Sequence, residues 1–157
     1  MAEVKNIIVI KGKPRSGKST AVKALYKALE GYEQTKKYFE ITAKDISEAH
    51  NIAGDIVETI CLNDFDISLA SHGDNYDVLK KILEDLDGKG WDILICCCHL
   101  YNKNRSTHRL IKERYKGANI KWENVLFYDD AKDKAKEERR IANLLLKEIL
   151  IMSGETL

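Results

Sequence analysis

Asn6–Lys11 (NIIVIK) is an unbroken apolar run closed by a charge and Gly12. That pattern predicts a strand buried on both faces. From Lys18 to Glu30 the period changes: Val22, Leu25 and Leu29 repeat at helical spacing beside Ala21 and Ala28, and Gly31 is placed to end the helix. The same alternation predicts a strand at 37–42, a short helix at 44–53 and strands at 56–62 and 65–70. The last two join in a hairpin at Asn63-Asp64. A helix at 76–87 should close at Gly88, followed by a buried strand at 91–98 and a helix from 107 to 116. One or two strands within 120–128 and a long helix over 131–152 follow; the second half of that helix is expected to pack and the first half to be solvated.

Strands alternating with helices predict an α/β three-layer sandwich with a mostly parallel sheet and an inserted β-hairpin. Proline occurs once, at Pro14, and no repeat or linker composition interrupts residues 1–157, so one domain is expected. Lys and Arg number 26 against 25 Asp and Glu, a net charge of +1, which disfavours a protein that mainly coats nucleic acid. No apolar run approaches the roughly 18 residues of a membrane span, and a cytoplasmic protein is expected. Cys96, Cys97 and Cys98 are consecutive, so a strand turns them to alternate faces and cannot offer all three to one metal.

The chemistry is concentrated in Gly12-Lys13-Pro14-Arg15-Ser16-Gly17-Lys18-Ser19-Thr20. Gly12 allows a sharp exit from the strand, and Gly17 allows close backbone approach to phosphate oxygens. Successive N–H groups can then form an anion nest at a helix start. These residues fit GxxxxGK[ST], and here the chain resembles the P-loop NTPase superfamily. The motif match covers residues 12–20, and the looser α/β layout extends to about residue 130. Lys13 directly after the first glycine is similar to the dimerising ATPases related to MinD, although Pro14-Arg15 departs from their loop. The resemblance implies that Lys18 reaches the β- and γ-phosphates of ATP and that Ser19 ligates Mg²⁺.

Ligands of open parallel sheets sit beyond the carboxyl ends of the strands. Asp92 lies at an amino end and is set aside. Ser71, His72 and Asp74 follow one carboxyl end; His99, Asn102 and Arg105 follow another. Asp74 can hold the Mg²⁺ water shell, or else Asp74 or Asn75 can cap the next helix. Ser71 offers a weaker polar contact at the strand end. Arg105 can stabilise a transferring phosphoryl group or remain solvated with Arg109, while Ser106 caps the helix. His72 and His99 either contact substrate or line the loop mouth. In small-molecule and nucleotide kinases, which the layout resembles, an acid near the second strand orients the acceptor, and Glu40 and Asp45 are the candidates. Lys103–Lys116 is locally basic and offers a modest nucleic-acid contact or a solvated helix face. The leading expectation is phosphoryl transfer from ATP to a small acceptor. A partner-linked regulatory ATPase and a nucleotide-dependent binding module are the alternatives.

Overall fold

The structure is a computed structural model that describes residues 5–100 and 105–154. It is an α/β architecture built on a five-stranded sheet of order β2-β3-β4-β1-β5. The strands are β1 (Asn6–Lys11), β2 (Val57–Leu62), β3 (Phe65–Ala70), β4 (Ile93–Cys98) and β5 (Asn119–Asn124). The helices are α1 (Lys18–Thr35), α2 (Ala43–His50), α3 (Tyr76–Lys89), α4 (Thr107–Arg114) and α5 (Ala131–Met152). β3, β4, β1 and β5 are parallel neighbours, and β2 runs antiparallel to β3 at the edge. The β2–β3 reversal falls at Asn63 (φ 53°) and Asp64 (φ 60°), the positive pair that a two-residue hairpin turn needs.

Period-2 alternation sorts the central strands between two cores. Ile8, Ile10 and Cys97 pack with α1, α2 and α5. Ile7, Val9, Cys96 and Cys98 pack with α3 and α4 on the opposite face. The three cysteines are free, and burial pushes their thiols up, that of Cys98 to about 12 despite the opposing pull of Lys18 and Lys11. Buried, protonated thiols of this kind are packing groups rather than nucleophiles.

Three expectations are corrected. Gly31 does not end α1, which continues to Thr35 and closes at Lys36 (φ 57°). Gly88 likewise lies inside α3, and Gly90 provides the cap. Residues 37–42 form no strand. The Ile41 N–H donates to Asn143 Oδ1 (2.7 Å), and its carbonyl accepts from Asn143 Nδ2 (3.0 Å) and Arg139 Nε (3.1 Å). Side chains of α5 thus take the backbone groups that a neighbouring strand would have used.

Candidate functional site

The 12–17 loop leaves β1 at the carboxyl edge of the sheet, tied to β4 by Gly12 N–H donating to the Cys98 carbonyl (3.3 Å). Arg15 (φ 61°) and Gly17 (φ 106°) are left-handed on either side of Ser16, and the Ser16 N–H returns to the Lys13 carbonyl. Such local reversal of backbone hand turns successive N–H groups inward. A non-glycine residue in this region, such as Arg15, is a strain typical of functional loops. Space is also tight at both glycines. A Cβ on Gly12 would lie 2.7 Å from Ser16 Oγ, and one on Gly17 would lie 2.5 Å from Glu138 Cγ.

Each of the helices α2, α3, α4 and α5 begins under a side-chain cap, from Thr42, Asn75, Ser106 and Asp130 respectively. α1 has Gly17 at that position, no side-chain cap and no acidic residue in its first turn. Its first N–H groups and its positive dipole end therefore face a neighbouring cavity of about 230 Å³, which Arg15, Lys18, Ser19, Asp55, His72 and Asp74 help to line.

Lys18 is 5% exposed, and its ammonium donates to three oxygens: the Gly12 carbonyl (2.8 Å), the Cys98 carbonyl (3.2 Å) and Asp74 Oδ1 (3.1 Å). Asp74 arrives there because the turn after β3 presses onto β4. A Cβ on Gly73 would lie 2.6 Å from the Cys97 backbone carbon and oxygen, so no other residue permits this approach. His99 completes the corner, with Nε2 2.9 Å from the Asp74 carbonyl and Nδ1 3.7 Å from its carboxylate. The cap of α3 is Asn75, whose side chain accepts from the Val78 N–H, and not Asp74.

A second carboxylate was not singled out from the sequence. Asp55 Oδ1 accepts from Ser19 Oγ (3.3 Å) and Ser71 Oγ (3.0 Å), and Oδ2 lies 2.8 Å from His72 Nδ1. Burial pushes the Asp55 carboxyl up, but the hydrogen bonds from His72 and Ser71, with the charge of His72 and Lys23, outweigh it and hold the group below the ordinary aspartate range. Asp55 precedes β2, which is antiparallel. The amino end of β2 therefore lies beside the carboxyl end of β3, Val57 opposite Ala70. Asp55 thus reaches the carboxyl edge of the parallel strands from the amino end of a strand.

Behind the loop, Glu138 of α5 is fully buried. Its Oε1 lies 3.0 Å from His50 Nε2, and His50 Nδ1 lies 3.5 Å from Thr20 Oγ1. Glu138 Oε2 and Ser16 Oγ are buried without a hydrogen-bond partner. The first half of α5 is thus not simply solvated.

Other candidates stand elsewhere. Lys13 Nζ lies over the Phe127 ring (5.6 Å), and Pro14 is exposed. Arg105 pairs with Asp77 (2.9 Å) and stacks over Tyr76, outside the cavity lining. Arg109 lies near Glu113. Asp45 completes the α2 capping box with Thr42, and Glu40 lies 4.0 Å from Lys147. Asp92 accepts from Asp66 N–H. Asn102 and Lys103 lie outside the described residues.

Among the described residues, no group of three or more His, Cys, Asp or Glu side chains could hold a metal ion, and no helix is long and apolar enough to cross a membrane. No family model, curated protein or solved structure matches the chain.

Proposed function

We propose that residues 12–20 bind the phosphates of a nucleoside triphosphate, taken as ATP, with Mg²⁺, and that the chain transfers the γ-phosphoryl group to a small acceptor. One observation carries this reading: the uncapped start of α1 sets Lys18 and Ser19 beside one cavity with two carboxylates, Asp55 and Asp74. The donor set fits the ligands. Phosphate takes backbone N–H groups and an ammonium. Mg²⁺ is held by one or two carboxylates with phosphate oxygens and waters, so it needs no dedicated protein cage.

The roles follow from position. Lys18 exchanges Asp74 for phosphate oxygens. Ser19 and Asp55, already hydrogen-bonded, hold the metal and its water shell with Asp74. His72 fixes the orientation of Asp55 from the other side. When bound, Mg²⁺ neutralises the charge on the phosphates. On the same edge, β5 continues into Leu126, Phe127 and Tyr128, which are 55%, 43% and 37% exposed. Val125 N–H donates to the Lys11 carbonyl, so this apolar surface emerges next to the loop and suits the base.

A second reading, a partner-linked ATPase, is favoured by the placement of Glu40 and Asp45. Both acids expected to orient an acceptor line a different cavity from Lys18. ADP release from Mg-ATP, with and without a panel of nucleosides, nucleotides and other hydroxyl compounds, separates the readings. The transferase reading predicts release that depends on one acceptor class and is lost in Lys18→Ala. Release that responds to no acceptor contradicts it.

A further inference from the structure

Both carboxylates that line the cavity at the start of α1 are already engaged. Asp74 pairs with Lys18 (3.1 Å), and Asp55 lies 2.8 Å from His72 while accepting from Ser19 and Ser71. Two further cations, Arg15 and Lys134, also line the cavity. Among the described residues, neither has an ion-pair partner. The walls therefore carry more positive charge than their own acids match, which favours an anionic occupant. Arg15 belongs to the 12–17 loop itself. Lys134 is delivered from α5, outside the loop motif.

The contacts around Lys134 fix where it stands. Glu138, one turn further along the same face of α5, is fully buried, and a Cβ on Gly17 would lie 2.5 Å from its Cγ. The adjacent Glu137 accepts from the Leu126 N–H through Oε2 (2.7 Å). This turn of α5 is thus clamped to the loop by one residue and to the 126–128 surface by the next. Lys134 lies about 6 Å before it along the helix. Lys132 and Lys136 are turned about 160° away from Lys134 around the helix. Both are exposed, whereas Lys134 is half-buried. A partly buried ammonium loses hydration, and no carboxylate of the protein offsets that loss at Lys134. A phosphate oxygen would supply the missing charge-assisted bond.

The direction of approach selects the phosphates. Ser19, Asp55 and Asp74, the groups proposed for the metal, reach the cavity from α1 and from the β2–β3 side. Lys134 reaches it from the side of Leu126, Phe127 and Tyr128, the surface that suits the base. We infer, on the proposed function's premise that residues 12–20 bind a nucleoside triphosphate, that Lys134 is a further phosphate-binding residue of that site. It contacts the phosphates nearest the nucleoside and leaves the transferred group to Lys18 and the metal. Lys134 therefore supports nucleoside diphosphate and triphosphate binding alike.

Calorimetric titrations of Mg-ATP, Mg-ADP and inorganic triphosphate into the full chain test this in wild type, Lys134→Ala, Lys134→Arg and Lys132→Ala, with Lys18→Ala as reference. Alanine is the better helix former, so Lys134→Ala should keep α5 and an undiminished melting temperature. It should weaken all three ligands by about three- to tenfold, the loss of one charge-assisted contact that solvent partly screens. Lys134→Arg, which keeps the charge, and Lys132→Ala, which removes one from the exposed face, should stay within about twofold of wild type. A change below about twofold in Lys134→Ala, an equal loss in Lys132→Ala, no recovery in Lys134→Arg, or a loss for Mg-ATP that spares triphosphate overturns the phosphate contact. A loss for Mg-ATP that spares Mg-ADP overturns the assignment to the base side. Binding lost in Lys18→Ala yet unchanged in Lys134→Ala overturns the role of Lys134 and leaves the proposed function standing. Triphosphate binding that depends on Lys134, with no nucleotide bound, supports the phosphate contact and overturns the proposed function. No binding of any of the three ligands overturns both.

Discussion

The Lys18 ammonium and the Asp74 carboxylate are 3.1 Å apart, on residues that β1 and β3 deliver to one corner. The lysine is buried and the aspartate half exposed. A phosphate entering the loop must compete with Asp74 for Lys18. Pairs with one exposed partner contribute little, about 0.2–1 kcal/mol. Asp74→Asn should therefore tighten Mg-free nucleotide binding about two- to fivefold, while Mg-dependent ADP release falls. Nucleotide titrations with and without Mg²⁺ check both directions; weaker binding without metal would remove Asp74 from the role of competitor.

Gly73→Ala should be disruptive out of proportion to its size. The added Cβ meets the Cys97 backbone, which cannot rotate away, so the 71–74 turn must lift from β4 and carry Asp74 off Lys18. A loss of about 1–3 kcal/mol is expected. Denaturant unfolding measures it. Gly88→Ala, where a Cβ meets nothing within 4 Å inside α3, should instead be neutral or stabilising.

Asp55 gives a pH signature. Its folded carboxyl sits below the ordinary aspartate value, so its contribution is present above that value, near 3.9, and is lost as pH falls through the lower folded one. The stability difference between wild type and Asp55→Asn should be flat from about pH 5 to 8 and shrink below about pH 4. A gap that stayed unchanged below about pH 4 would contradict this role for Asp55.

Phe127 and Arg105 separate surface from site. Phe127→Ala should weaken ATP binding about five- to tenfold, as expected for loss of one stacked base, and leave inorganic triphosphate binding unchanged. Arg105→Ala removes a pair with Asp77 at a 68% exposed side chain and should change ADP release by less than about twofold. A much larger loss would bring Arg105 into the transfer step.

Local patterns carried most of the architecture. NIIVIK, the 18–30 stripe, FDISLA and ILICCC announce their elements because burial on one or both faces dictates their period. The turn at Asn63-Asp64 was legible because its residue types tolerate the required backbone. The 37–42 segment was misleading: its apolar residues reflect the burial of Ile41, whose backbone is held by Asn143 and Arg139 from a hundred residues away. Gly12–Thr20 was legible as a local motif. Asp55 and Glu138 were not, because a reversed edge strand brings one to Ser19 and the packing of α5 brings the other to Gly17. No local periodicity encodes either placement.

Calorimetric titration of Mg-ATP into the wild-type chain and into Lys18→Ala tests the central claim most directly. The account predicts saturable, one-site binding that weakens by about tenfold or more in the variant, the loss expected for a charge-assisted contact. Equal affinity in the two proteins, or no binding of any nucleoside triphosphate to the wild type, would contradict it.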